Sequence, residues 1–293
     1  MIWRSPARWL LLAIVAISAC PGCHRGDGPP AIRDGANDHV RNAVIIIHGV
    51  GNQTAGYSKP MQDLLKAEIP ALHFIEVLWS DLGSVLREAQ DPARAKEREA
   101  AEQELINEIN AAEQKALATG KPSPGTPQQE QQVRDEYAAA RGFVGPIVSY
   151  EFLSAQERRR IQQRLHDALE WSAQHADKTF VIAHSLGTVI AFDTLHGWES
   201  VASPGKVAFM STMGSPLGKS IFAGHRGRPT GRPGTVDAWV NFYSPHDLIS
   251  SSLGGAYSNV DDRNVNTPVL PLAAHSAYWT HVDVVSEVLK RVQ

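Results

Sequence analysis

At 293 residues the chain suffices for one large or two ordinary domains, and its 43% hydrophobic and 20% charged residues can bury a sizeable core, which excludes disorder along the whole length. The mean hydropathy is negative and only the N-terminus carries a long apolar run, which excludes a polytopic membrane protein. Lys+Arg 28 against Asp+Glu 31 leaves a net charge of −3, so nucleic acid is not an expected partner, and the 12 histidines show no HExxH or comparable spacing for a metal.

Arg4 and Arg8 flank the start of an uncharged apolar segment, residues 9–19 (WLLLAIVAISA). It is too short for a ~20-residue membrane span and suits the h-region of a secretory signal. The segment runs into Ile17-Ser18-Ala19-Cys20, which resembles the lipobox of bacterial lipoproteins: an aliphatic residue, two small ones, then the cysteine that is lipidated and becomes the new N-terminus. The resemblance implies export, removal of residues 1–19 and a lipid on Cys20 that anchors the protein to a membrane of the cell envelope. Ordinary cleavage near Ala19 with release is the alternative. Losing Arg4 and Arg8 takes the 28 basic residues to 26 against 31 acidic, a mature charge of −5. Cys23 is the only other cysteine, so with Cys20 lipidated no disulfide supports the fold. A Cys-Pro-Gly-Cys redox motif is rejected, because the Gly/Pro/Asp-rich stretch that follows offers no helix to lower a thiol pKa. Residues 20–40 read as a flexible tether and 41–293 as the folded domain.

Residues 43–47 (AVIII) form a continuous β-branched run, suited to a strand covered on both faces, and end in His48-Gly49-Val50-Gly51-Asn52. Residues 60–68 read as a helix and 74–79 as a second strand. Composition changes near Leu86: up to Arg141 the chain is rich in Glu, Gln, Ala and Arg, and bulky apolar residues thin to Leu105, Ile106, Ile109, Leu117, Val133 and Tyr137. The break GKPSPGTP at 120–127 divides this stretch into two helices, so 87–141 is read as an inserted, solvated helical hairpin, with a lid or partner-docking role open to it. Ser154-Ala155-Gln156-Glu157 reads as a capping box, followed by Ile161, Leu165 and Leu169 at helical spacing. Strand 179–183 leads into His184-Ser185-Leu186-Gly187 and a helix over 188–195. Strands follow at 207–212 and 238–243, and a last helix over 282–292 turns Val285, Val288 and Leu289 inward. This alternation predicts an α/β fold with a doubly wound, mainly parallel sheet whose ligand sites lie at the strand C-termini.

The run Phe180-Val181-Ile182-Ala183-His184-Ser185-Leu186-Gly187 resembles the nucleophile elbow of α/β-hydrolases, with Ala183 in place of the first glycine of G-x-S-x-G. In that turn the serine is held on a strained bend between strand and helix, and small residues flank it because the two elements pass close together. His48-Gly49-Val50-Gly51 resembles the oxyanion loop of the same family. The resemblance implies that the N–H groups of Leu186 and Val50 stabilise the negative charge of acyl transfer, with Gly51 an alternative second donor, and that His48 is a structural hydrogen-bonder.

The family's triad runs in the order Ser, then Asp or Glu, then His. His196 ends the elbow helix and points away, Asp193 sits on that helix, and Asp237 precedes a strand rather than following one. Asp261 and Asp262 fall in a Gly/Asn/Ser-rich loop and are weaker candidates than Asp247, which directly follows the strand at 238–243. His275, in the loop before the last helix, and His281, at the start of that helix, remain as bases; His275 is preferred. The implied roles are Ser185 as nucleophile, His275 as general base and Asp247 as its orienting acid, with no metal or organic cofactor needed. Trp79 and Trp239 read as core or pocket walls, and Lys219, Arg226, Arg228 and Arg232 as a solvated loop.

The resemblance covers roughly residues 41–86 and 142–293. It implies a lipase- or esterase-like serine hydrolase acting on a carboxylic ester, lipid or small acyl, through an acyl-enzyme. Thioester, amide and acyltransfer chemistry would use the same triad. An alternative of a different class is a non-catalytic envelope lipoprotein that binds an unspecified protein partner through the hairpin.

Overall fold

Six parallel strands form one sheet in the order β2-β1-β3-β4-β5-β6. They are β1 Val40–Ile47, β2 His73–Val77, β3 Ala176–His184, β4 Val207–Met213, β5 Trp239–Tyr243 and β6 Asp261–Asn264. The helices are α1 Lys59–Glu68, α2 Ala95–Thr119, α3 Pro127–Glu151, α4 Ala155–His175, α5 Leu186–Trp198, α6 Pro271–Ser276 and α7 Val282–Val292. The computed structural model describes residues 39–84, 86, 92–119, 126–198 and 205–293; the residues read as a signal and lipobox, Cys20 included, lie outside them. No helix among the described residues is long and apolar enough to cross a membrane.

Alternation along β1 sorts the core into two layers, because successive strand side chains point to opposite faces. Ile45 and Ile47 pack with Val181, Ile161, Leu165 and Val189 on the α4/α5 face, while Val44 and Ile46 pack with Phe180, Met61, Leu65 and Val288 on the α1/α7 face. Both faces are thus covered, as a buried parallel sheet requires. The strand order turns at β1: the chain leaves it for β2 on one side and returns to β3 on the other. Ile47 pairs with Ala183 across this switch, so the residues following β1 and β3 emerge side by side at the strand C-termini.

The structure departs from the sequence reading in several places. Asp261 and Asp262 open β6, not a loop. This edge strand, DDRN, has no apolar alternation, and Asp262 is absorbed by the Asn241 amide, the Ser252 hydroxyl and the Leu253 and Gly254 N–H groups. His275 sits on the short helix α6, started by Pro271. Ser154 caps α4 through the Glu157 N–H at 3.2 Å, but Glu157 turns to Arg160; the reciprocal capping box stands at Thr126 and Gln129. The helix α3 runs ten residues past Arg141, through Pro146, because Val144, Ile147, Val148 and Tyr150 are buried and outweigh the breaker residues. Arg228 is buried, not solvated: it bridges Glu151 at 2.7 Å and Asp193 at 2.9 Å. Lys219 pairs with Glu108 and Arg232 donates to the Asp237 carbonyl, while the Arg226 side chain lies outside the described residues.

Candidate active site

Ser185 links β3 to α5 with φ +55, one of two non-glycine residues in the left-handed region among those described. Such a conformation costs on the order of 1–3 kcal/mol and persists only where the surroundings enforce it. Here the Ser185 N–H donates to the Met213 carbonyl at 3.0 Å, and its carbonyl accepts from the Thr188 N–H at 2.9 Å and hydroxyl at 2.7 Å. The hydroxyl left over is buried and has no hydrogen-bond partner, the His275 imidazole included.

Two glycines let the loop after β1 lie directly on this turn. A Cβ on Gly49 would stand 2.4 Å from Ser185 Cβ and 2.8 Å from its Oγ, and one on Gly187 would stand 2.5 Å from the His48 carbonyl oxygen. Leu186 is the first residue of α5, so its N–H has no intrahelical acceptor. Val50 lines the cavity in front of Ser185. That cavity measures about 160 Å³ and is walled by His48, Gln53, Tyr57, Phe143, His275 and Trp279 among others.

His48 braces the loop. Its Nδ1 lies 2.6 Å from the Gly49 carbonyl, its Nε2 accepts the Trp79 N–H at 3.3 Å, and the Trp79 indole donates back to the His48 carbonyl at 3.0 Å. The two rings stack at 5.1 Å. Burial pushes His48 down to about 4 against the opposing pull of the Gly49 carbonyl, so it is neutral at physiological pH. Trp239 is a buried wall of the core whose indole donates to Thr212.

Asp247, in the turn after β5, is 2% exposed. Its Oδ1 accepts the Ile249 N–H at 3.0 Å, and both carboxylate oxygens face Nδ1 of His275 at 3.0 and 2.9 Å. Burial opposes ionisation of Asp247, but His275, the Tyr278 hydroxyl and the Ile249 N–H outweigh it and hold the carboxyl below its ordinary range. His184 packs its ring 4.6 Å from that of His275 and donates from Nε2 to the His275 carbonyl at 2.8 Å. Burial, reinforced by repulsion from His275, lowers His184 to about 3.

Ser185, His275 and Val50 thus share one cavity wall, Asp247 stands behind His275, and Leu186 follows Ser185 at the start of α5. The other candidates are spent elsewhere. His281 caps α7 by accepting the Asp283 N–H and bonds the Asn266 carbonyl through Nε2. His196 contacts the Gly231 carbonyl. Asp193 belongs to Arg228, and the Asp237 N–H pairs with Val207 at the opposite end of the sheet. The sequence reading missed Tyr278, Phe143, Tyr57 and Trp279 in and around the site. Only Tyr278 carried a signal, standing three residues beyond His275. A group of His166, Asp167 and Glu170 on α4, its two carboxylates exposed and its histidine half-buried, does not line this cavity. Among known proteins, no family model and no curated sequence matches the chain.

Proposed function

We propose that the protein is a serine hydrolase of the α/β-hydrolase type that cleaves a carboxylic ester, lipid or small acyl, through an acyl-enzyme. One observation carries this reading: an unpartnered, buried serine hydroxyl on a left-handed strand–helix turn shares a cavity with an imidazole held by a buried carboxylate. The buried Ser211 and Thr235 hydroxyls are unpartnered too, so what sets Ser185 apart is the combination: a left-handed turn and a cavity shared with His275. The resemblance of the elbow and of the loop after β1 to the family's motifs points the same way.

In this reading Ser185 Oγ adds to the acyl carbon while His275 Nε2 takes its proton. His275 then returns that proton to the leaving alcohol, and water repeats the sequence to release the acid. Asp247, ionised at physiological pH, fixes the imidazole through Nδ1 and stabilises the imidazolium that forms. The oxyanion meets the Leu186 and Val50 N–H groups at the N-terminus of α5, where the helix dipole also favours negative charge. The Ser185–His275 hydrogen bond, not made in this structure, forms with substrate in place, as is common for such pairs. Residues 87–141 are read as an insertion between β2 and α4, adjoining the site through Phe143 of the same helix. Export and lipidation at Cys20 would hold the site at an envelope membrane, near lipid esters.

The test is intact-mass labelling of the full-length protein with a fluorophosphonate. One adduct on the wild type, none on Ser185→Ala and a strongly slowed reaction on His275→Ala are expected, and an ester panel graded by acyl-chain length follows. A folded wild type that does not label refutes the proposal.

A further inference from the structure

Asp247 is held by more than the backbone. Its Oδ1 accepts the Ile249 N–H at 3.0 Å and the Ser250 N–H at 3.3 Å, but apart from His275 the partner of Oδ2 is the Tyr278 hydroxyl, donating at 2.9 Å. Tyr278 is fully buried in a 3₁₀ turn, Ala277–Thr280, that continues directly from α6. His275 and Tyr278 stand three residues apart on consecutive turns, a spacing that puts both side chains on one face. That face converges on Gly214, whose φ is +62. A Cβ there would stand 3.1 Å from the Tyr278 ring, 3.2 Å from Asp247 Oδ2 and 3.2 Å from His275 Cε1. Three groups therefore close on one point that only a glycine leaves open.

We propose that Tyr278 is a positioning residue of this site, setting through its hydroxyl how strongly Asp247 holds and charges His275; the inference rests on the hydrolase reading above. A phenol O–H given to Oδ2 shares the carboxylate's negative charge, so Asp247 pulls less on the imidazolium that forms when Ser185 loses its proton. The same bond fixes the plane of the carboxylate, and through Nδ1 the direction of Nε2. The phenol stays a donor, because burial and the neighbouring Asp247 charge raise its pKa well above the ordinary tyrosine value. The groups facing this pair are few. From β3 comes His184, neutral above about pH 3; from α3 comes Phe143, uncharged; from the turn after β4 comes Gly214. Among the described residues no lysine, arginine or glutamate pairs with Asp247, His275 or Tyr278.

The experiment measures the fluorophosphonate labelling rate constant of the full-length protein between pH 5 and 9. Three proteins are compared: wild type, Tyr278→Phe, and protein carrying 3-fluorotyrosine at 278, whose phenol is a stronger donor. Tyr278→Phe is expected to label about 10-fold more slowly, with the acid limb of its pH profile moved up by about half a pH unit. The fluorinated side chain is expected to move that limb down. A merely structural tyrosine would slow labelling through misfolding without moving the limb in opposite directions, and that result overturns the proposal. So does labelling of Tyr278→Phe at the wild-type rate with the limb unmoved, which leaves the hydrolase reading standing. If Tyr278→Phe does not fold, the fluorinated protein decides alone: an unshifted limb refutes the role. A wild type that fails to label sinks the hydrolase reading itself, and this inference with it.

Discussion

Gly49→Ala adds one methyl group where the loop after β1 crosses the serine turn. The new Cβ would stand 2.4 Å from Ser185 Cβ, whereas non-bonded carbons settle at about 3.5–4.0 Å, so something must move by about 1 Å. The serine turn is the stiffer partner, pinned by Met213 on one side and by two bonds from Thr188 on the other. The loop therefore gives way and carries Val50 with it. A shift of that size takes a hydrogen-bond donor out of reach of a developing oxyanion, and losing one such donor slows acyl transfer by ~10²–10³. Overpacking adds a stability cost of about 1–3 kcal/mol. Fluorophosphonate labelling rates and thermal unfolding of the full-length protein read the two effects separately. Labelling at the wild-type rate with unchanged unfolding would show that the loop does not rest on Ser185 and would remove Val50 from the mechanism.

Gly142→Ala makes the opposite case: nothing lies within 4 Å of the added Cβ in this exposed turn of α3, so thermal unfolding should show a gain of about 0.5–1 kcal/mol with labelling unchanged. Arg228→Met leaves Glu151 and Asp193 without their shared cation, and denaturant titration should show a loss of about 3–5 kcal/mol. His48 and His184 are held at about 4 and about 3, below the 6.5 of an unfolded histidine, so the unfolded chain binds more protons below pH 6.5. Their contribution is complete above pH 6.5 and is lost as pH falls through 4 toward 3. Unfolding followed from pH 7 to 4 should show a decline on the order of a few kcal/mol, and His48→Asn, which removes one of the two rings, should reduce it by roughly half. A flat wild-type profile would mean that these rings are not neutral and buried.

The Phe180–Gly187 and His48–Gly51 segments were readable because each couples an apolar run to a turn whose residue types are dictated locally. A β-branched run buries both its faces, and only small residues fit where two backbones nearly touch; Gly49 and Gly187 show this at 2.4 and 2.5 Å. Strands β1 to β5 and helices α1, α4, α5 and α7 follow from such local rules. The strand β6 does not, since DDRN is polar at every position and exists as a strand only because the β5 edge accepts it. The helix α3 likewise outruns its composition, because burial of Val144, Ile147 and Val148 overrides a proline that local preference treats as a stop. The charged loop around Arg228 reads as solvent-facing until Glu151 and Asp193, 77 and 35 residues away in the chain, close on it.

The candidate site divides along the same line. The resemblance, through its chain order, and the strand-end rule narrow the candidates to Ser185, Asp247 and either His275 or His281, since those depend on which residue types follow which strands. That Ser185 Oγ is unpartnered, that His281 caps a helix, and that Tyr278 and His184 grip the Asp247–His275 pair are matters of contact between distant segments. The amino-acid sequence determines the strands, the turns and the residue types they present. Only the packing of the folded chain decides which of those groups meet, because a hydrogen bond or a buried charge pair is a relation between positions in space that no local stretch contains.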